Sequence, residues 1–233
     1  MKKLAIMQPY FFPYIGYFQL IRAVDTFVIY DNIQYSKKGW INRNRILRQG
    51  KEALISIPLK KDSDFLDIRD RRLAADFRRE RLLNQISDAY RRAPYFAEAF
   101  PIVETVLRHD DDNLFRFLYH SIISVCEYLQ VDTDFATSSA IPIDHALQGQ
   151  DKVLAICEHA AASHYINPIG GVTLYSREDF MLRNIQLQFL RTLPCLYPQM
   201  DKPFVPSLSI IDVMMFNSVR KIGHFLNSNH EVL

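Results

Sequence analysis

The chain has 233 residues, 28 basic against 26 acidic side chains, and a formal net charge of +2. That length buries a full core, which fits a single α/β domain over residues 1–233, and the near balance of charge gives no global attraction to nucleic acid. The apolar stretches fall well short of a membrane span, and the apolar run before Pro9 is too short for a signal peptide, so a cytoplasmic protein is expected.

Leu4 to Met7 reads as a buried strand. Gln8 and Pro9 then open a loop of aromatics and prolines, and from Gly16 to Ile21 the apolar spacing becomes helical. A second apolar run, Phe27 to Tyr30, ends at Asp31. Strand, loop, helix and strand in this span have the length of a parallel βαβ unit. Ligands of open parallel sheets bind beyond the carboxyl ends of the strands. Gln8, Tyr10 and Tyr14 after the first run, with Asp31, Gln34 and Tyr35 after the second, therefore form one candidate rim.

Ser36 to Arg45 carries Lys37, Lys38, Arg43 and Arg45, together with Asn42, Asn44 and the single tryptophan, Trp40. Alternation from Asn42 to Ile46, a turn at Arg48-Gln49-Gly50-Lys51 and the run from Ala53 to Leu59 predict a hairpin insertion. The alternation sets Arg43 and Arg45 on the face opposite Asn42 and Asn44. Cations directly after a strand-end carboxylate point to an anion site, with Lys38 and Arg43 as phosphate or carboxylate partners; the alternative is a solvated hairpin face.

Lys60 to Asp70 is a charged surface connection, and residues 74–130 predict a helical layer or lid. Its helices run from near Ala74 to Tyr90, from Tyr95 to about Leu107, and from Leu114 to Leu129, the last with cap candidates at 110–113. The arginines of the first helix alternate with Asp76, Glu80 and Asp88, which reads as a solvated face and not as a nucleic-acid surface. Thr133 to Ile143 reads as a polar connection, with Thr137-Ser138-Ser139 as turn and cap hydroxyls. Gln148 to Ala162 predicts an amphipathic helix, followed by a short strand that ends at Asn167-Pro168 and by Gly170-Gly171, where backbone can come close to a ligand. This helix, strand and loop repeat the geometry of the opening unit, so both loops are expected on one sheet edge. A short helix capped at Ser176, an alternating strand from Ile185 to Leu190, and a helix from Ile210 capped by Ser207 or Ser209 follow. The fold expected is a Rossmann-like parallel sheet flanked by helices, with a β-hairpin insertion and a mostly helical middle layer.

The three cysteines form no Cys-x-x-Cys pair. Cys126 and Cys157 read as small buried hydrophobes in a reducing compartment, and Cys195, beside Pro194, stays as a nucleophile candidate. The histidines are scattered without metal-ligand spacing, so no metal site is expected, and no nucleophile-elbow motif is present.

Gln8-Pro9-Tyr10 with Gly16-Tyr17-Phe18, Asp31 with Gln34-Tyr35, Lys38 with Trp40 and Asn42-Arg43-Asn44, Tyr165 to Pro168 with Gly170-Gly171 and Tyr175, and Tyr197 with Gln199, Phe204 and Ser209 to Asp212 together carry a resemblance. On these residues the chain resembles the WbqC-like protein family almost end to end. The resemblance implies a part in O-antigen or other surface polysaccharide biosynthesis. The loop with Pro13-Tyr14-Ile15-Gly16-Tyr17 is also similar to the opening of the nucleotidylyltransferase superfamily, whose His-x-Gly-His holds nucleotide phosphates at a helix start. Here Tyr14 and Tyr17 replace both histidines. Tyrosine carries no positive charge at pH 7, so stabilisation of phosphoryl transfer would fall to Lys37, Lys38 or Arg43.

The first functional expectation is an enzyme that transfers an acyl or aminoacyl group to a nucleotide-linked amino sugar, forming an amide. Asp31 is the candidate general base, with Lys38 and Tyr17 completing the catalytic set. Gln8, Tyr10, Gln34, Tyr35, Trp40, Asn42, Arg43, Asn167, Gly170, Gly171, Tyr175, Gln199 and Ser209 are candidate substrate contacts. The alternatives are an ATP-dependent nucleotidylyltransferase or adenylate-forming ligase, and a non-catalytic sugar-nucleotide-binding protein. The cofactor is unassigned, ATP and an activated acyl donor both being compatible; the partner expected is a nucleotide sugar or another anionic small molecule, and a homo-oligomer stays open.

Overall fold

The computed structural model describes residues 1–200 and 203–233. In chain order its strands are β1 (Lys3–Met7), β2 (Thr26–Ile29), β3 (Arg43–Arg48), β4 (Lys51–Ser56), β5 (Asp134–Thr137), β6 (His164–Pro168), β7 (Gln186–Thr192) and β8 (His230–Val232). The helices are α1 (Ile15–Arg22), α2 (Arg79–Tyr90), α3 (Phe96–Arg108), α4 (Leu114–Tyr128), α5 (Gly149–His159), α6 (Arg177–Leu182), α7 (Ile210–Phe216) and α8 (Val219–Ser228).

The central sheet runs β5-β2-β1-β6-β7-β8, parallel throughout except for β8. The chain starts in the middle, winds outwards to β5, then returns to the other side of β1 to lay down β6 and β7. The expected Rossmann-like sheet is present, and its switch point lies between β1 and β6. Strands β1 and β2 pair at four positions and β6 and β7 at five, but β1 and β6 pair only at Lys3↔His164 and Leu4↔Tyr165. Beyond Leu4 the two central strands part, which opens the carboxyl edge of the sheet.

Alternation along β1 sends Ala5 to one face and Leu4 and Ile6 to the other. Ala5 joins the larger core, shared with α1, the three middle helices, α7, α8 and the hairpin. Leu4 and Ile6 join the smaller one, closed by Val153, Leu154 and Cys157 of α5 and Phe180 of α6. The hairpin of β3 and β4 turns at Gln49-Gly50, with φ of 52° and 73° at the two central residues, the mirror-image turn that strand twist favours. Asn113 caps α4 by accepting from Arg116 N at 3.0 Å.

One helix start and two strands differ from expectation. Helix α2 begins at Arg79 and not near Ala74, because Leu73 N donates to the Asp112 carbonyl at 2.7 Å and Ala74 N to the Pro58 carbonyl at 2.9 Å. Those bonds tie Leu73 and Ala74 to neighbouring loops, and a turn closed by Phe77 N on the Ala74 carbonyl at 3.0 Å precedes the helix. Strands β5 and β8 fall where the sequence shows no strand pattern; both are sheet edges without a buried residue, so neither needs a continuous apolar run. Among the described residues, no helix is long and apolar enough to cross a membrane.

Candidate functional site

The gap between β1 and β6 is a crevice of about 450 Å³ at the carboxyl edge of the sheet. It brings together Gln8 and Tyr10, which follow β1, with Asn167, Gly170, Gly171 and Tyr175, which end and follow β6. Tyr30 from the end of β2 and Gly149 and Gln150 from the start of α5 complete its polar wall, and Met7, Ile33, Val153 and Leu174 supply apolar surface. The described lining contains no aspartate, glutamate, lysine, arginine or histidine.

This wall is fixed from behind. Tyr165 hydroxyl donates to Asn167 Oδ1 at 3.2 Å, and Asn167 Nδ2 donates to the Pro168 carbonyl at 3.1 Å. A Cβ on Gly171 would overlap Asn167 Nδ2 and force that amide to move, whereas Gly170 faces open space. Burial, then the neighbouring Tyr175 and Asp67, push the Tyr30 phenol up to about 12. Burial also raises Tyr10 and Tyr175. All three phenols are therefore neutral donors at physiological pH.

The expected catalytic set lies elsewhere. Asp31 is 2 % exposed and outside the crevice lining. Its Oδ1 accepts from Ser138 Oγ at 2.8 Å and Ser139 N at 2.9 Å, and its Oδ2 accepts from Ser139 Oγ at 2.6 Å. The carboxylate pins the end of β2 to the segment after β5. Tyr17 is buried and donates its hydroxyl to the Gln8 carbonyl at 3.0 Å, supporting the loop from below. Lys38 is exposed, and its carbonyl accepts from Arg43 Nη2 at 2.8 Å, while Arg43 Nε donates to the Gly39 carbonyl at 3.0 Å. Arg43 thus holds a turn of its own chain.

Several expected contacts are likewise internal. Gln34 Nε2 donates to the Asp64 carbonyl, Tyr35 hydroxyl to Asn42 Oδ1 at 2.8 Å, and Asn42 Nδ2 to the Ile57 carbonyl at 2.8 Å. Gln199 bridges Val205 and Asp212. Ser209 caps α7 and donates to the Phe12 carbonyl at 2.8 Å. All three cysteines are buried, and burial pushes the Cys195 thiol up to about 11, which disfavours the thiolate a nucleophile needs.

A second hollow, of about 210 Å³, adjoins the first across Tyr10, which lines both. Its walls are Tyr10, Pro13, Tyr14, Trp40, Asn44, Arg45 and Ser207. Between Tyr10 and Tyr14 the chain passes through Phe12 at φ 40°, a left-handed conformation that is costly for a bulky side chain. Asn44 Nδ2 at 2.7 Å and Ser209 Oγ at 2.8 Å both donate to the Phe12 carbonyl and hold it there.

Sequence reasoning missed Tyr30, Gln150 and Lys152. Lys152, on α5, is 4 % exposed, donates to the Asn32 carbonyl at 3.2 Å and lies 5.2 Å from the centre of the Tyr30 ring. Burial lowers its pKa from the ordinary lysine value. Its one signal in the sequence is a lysine beside the apolar stripe of α5.

The chain is 31% identical over 226 residues to "Uncharacterized protein Rv1507c" of Mycobacterium tuberculosis (strain ATCC 25618 / H37Rv), a match that covers 93% of this chain and 94% of that one. No solved structure matches the chain. The model of the WbqC-like protein family matches residues 8–224, which include the crevice lining except Ile6 and Met7, and the chain belongs to that family.

Proposed function

We propose that the crevice holds the sugar of a nucleotide-linked amino sugar, and that the protein transfers an acyl or aminoacyl group to its amine, forming an amide for O-antigen or related surface polysaccharide biosynthesis in the cytoplasm. The observation that carries this reading is the lining itself: neutral amides, phenols and apolar surface, with no charged side chain among the described residues. Amides and phenols suit sugar hydroxyls. A wall without carboxylates also disfavours an ammonium ion, so a bound amino sugar is biased towards the neutral amine that attacks an acyl carbon. In this scheme Gln8, Asn167 and Tyr175 orient the sugar, and the rate comes from positioning, without Asp31 as base. The acyl group comes from a thioester, whose C–S bond breaks as the C–N bond forms and whose thiolate leaves with the amine proton, or from an acyl adenylate made with ATP, from which AMP leaves in the same way.

The test incubates purified protein with uridine- or thymidine-diphosphate amino sugars, together with either acyl thioesters or ATP and amino acids, and follows product mass. A mass gain equal to the acyl group, lost on widening Gly171 to valine, is expected. Binding of the nucleotide sugars by calorimetry with no mass change for any donor would leave the second reading, a non-catalytic carrier of the sugar nucleotide. That reading is favoured by the same lack of a charged acid or base in the described lining. Pyrophosphate release without amide formation would turn the assignment to adenylyl or nucleotidyl transfer.

A further inference from the structure

Resting on the nucleotide-sugar reading, we propose that the hollow beside Trp40 is a base-binding subsite: it takes the flat heteroaromatic base of a nucleoside diphosphate while the sugar lies in the crevice on the other side of Tyr10. The two spaces share that one tyrosine as a wall, which suits two ends of a single ligand. A cavity of about 150 Å³ already admits one six-membered aromatic ring, and this hollow has about 210 Å³.

Its aromatic walls are open and held in place. Trp40 is 40 % exposed and Tyr14 37 %. A single exposed aromatic side chain is ordinary, but here Trp40, Tyr14 and Tyr10 surround one space. The turn that carries Trp40 is tied down on both sides, since Phe11 N donates to the Trp40 carbonyl at 3.2 Å and Arg43 grips the carbonyls of Lys38 and Gly39. Stacking on such a surface loses little conformational freedom when the ligand arrives.

Arg45 adds a polar reason. Its Nη1 pairs with Glu52 at 2.7 Å and its Nη2 donates to the Ser207 carbonyl at 3.3 Å. Nη1 and Nη2 each keep a second N–H on a side chain that is 30 % exposed, and every nucleobase carries carbonyl or ring-nitrogen acceptors on its edge. The guanidinium carbon sits over the Trp40 ring, 5.2 Å from its centre, with that of Arg43 at 5.9 Å, so donor and aromatic belong to one wall.

Trp40 is the only tryptophan, so its emission reports this hollow alone. The experiment titrates the wild-type protein with UDP, dTDP, ADP and GDP, and with glucosamine 1-phosphate, which has no base, following both Trp40 fluorescence and calorimetric heat. At least one nucleoside diphosphate is expected to change the emission along a curve whose midpoint matches its calorimetric Kd, while glucosamine 1-phosphate binds and leaves the emission unmoved. Trp40→Ala is expected to weaken that nucleotide roughly five- to 150-fold and to leave glucosamine 1-phosphate unaffected. A nucleotide that binds by calorimetry without moving Trp40 emission, or that binds Trp40→Ala as tightly as wild type, would overturn the subsite and spare the crevice. Binding of glucosamine 1-phosphate alone would do the same, and binding of no probe would overturn both assignments.

Discussion

At Gly171 a single added carbon would collide with the Asn167 amide, whereas its neighbour Gly170 looks onto open space. Gly171→Ala is therefore expected to lower stability by about 1–3 kcal/mol, as overpacking does, and to weaken any ligand of the crevice by displacing Asn167. Gly170→Ala should stay within about 0.5 kcal/mol of wild type. Denaturant midpoints for the two variants check this, and equal midpoints would mean that Asn167 is not held where the hydrogen bonds put it. Asp31 gives a second contrast at this scale. With both its carboxylate oxygens engaged by Ser138 and Ser139, Asp31→Asn should cost about 1–3 kcal/mol of stability by exchanging charge-assisted hydrogen bonds for neutral ones. A variant that keeps wild-type stability and loses turnover would restore Asp31 as a base.

Between elements, Asp212 is the main polar junction. Tyr90 of α2, Tyr197 and Gln199 all donate to its buried carboxylate at 2.7–2.9 Å, and Tyr90 also accepts from Leu47 N of β3. Burial raises the Asp212 pKa from its ordinary value, and the three donors pull it back in part. A carboxyl raised in the folded state contributes stability that is present below the unfolded pKa and lost as pH rises through the folded one. The advantage of wild type over Asp212→Asn should accordingly be larger near pH 4 than near pH 7, by urea titration at both. The His109 and His120 rings, one at the end of α3 and one on α4, stack with centres 4.0 Å apart. Burial, then the charge of His109, lowers the His120 pKa. Its contribution is present above the ordinary histidine pKa of 6.5 and lost as pH falls through the depressed folded value. His120→Gln should therefore flatten the fall in stability between pH 7 and pH 5.

For the whole molecule, the divergence of β1 and β6 past Leu4 means that a ligand in the crevice bridges the two halves of the sheet. A ligand at about 100 times its Kd adds roughly 2.7 kcal/mol to stability, which for a chain of this size raises Tm by roughly 5–10 °C. Nucleotide sugars should give such a rise in wild type and a smaller one in Gly171→Ala, by scanning calorimetry. The opening βαβ unit, the hairpin turn at Gln49-Gly50, the Asn113 cap and the glycine pair after Asn167 could all be read from the chain, because periodicity, turn chemistry and capping act over a few residues. Strands β5 and β8 could not, since these edge strands have no buried residue to make an apolar run. Nor could the Asp31 clamp, whose hydroxyls come from more than a hundred positions away. The inward turn of Tyr17 and the burial of Lys152 depend on packing that no local pattern encodes.

By itself the amino-acid sequence determined the alternation of strand and helix, the family, and the two loops that carry amide, phenol and glycine chemistry. Only the tertiary structure decided which side chains of those loops face a common space. Pairing order in a sheet is set by the burial of whole faces, and it is this order that puts β6 beside β1, leaves Gln8 and Asn167 across a gap, and turns Asp31 and Tyr17 into supports.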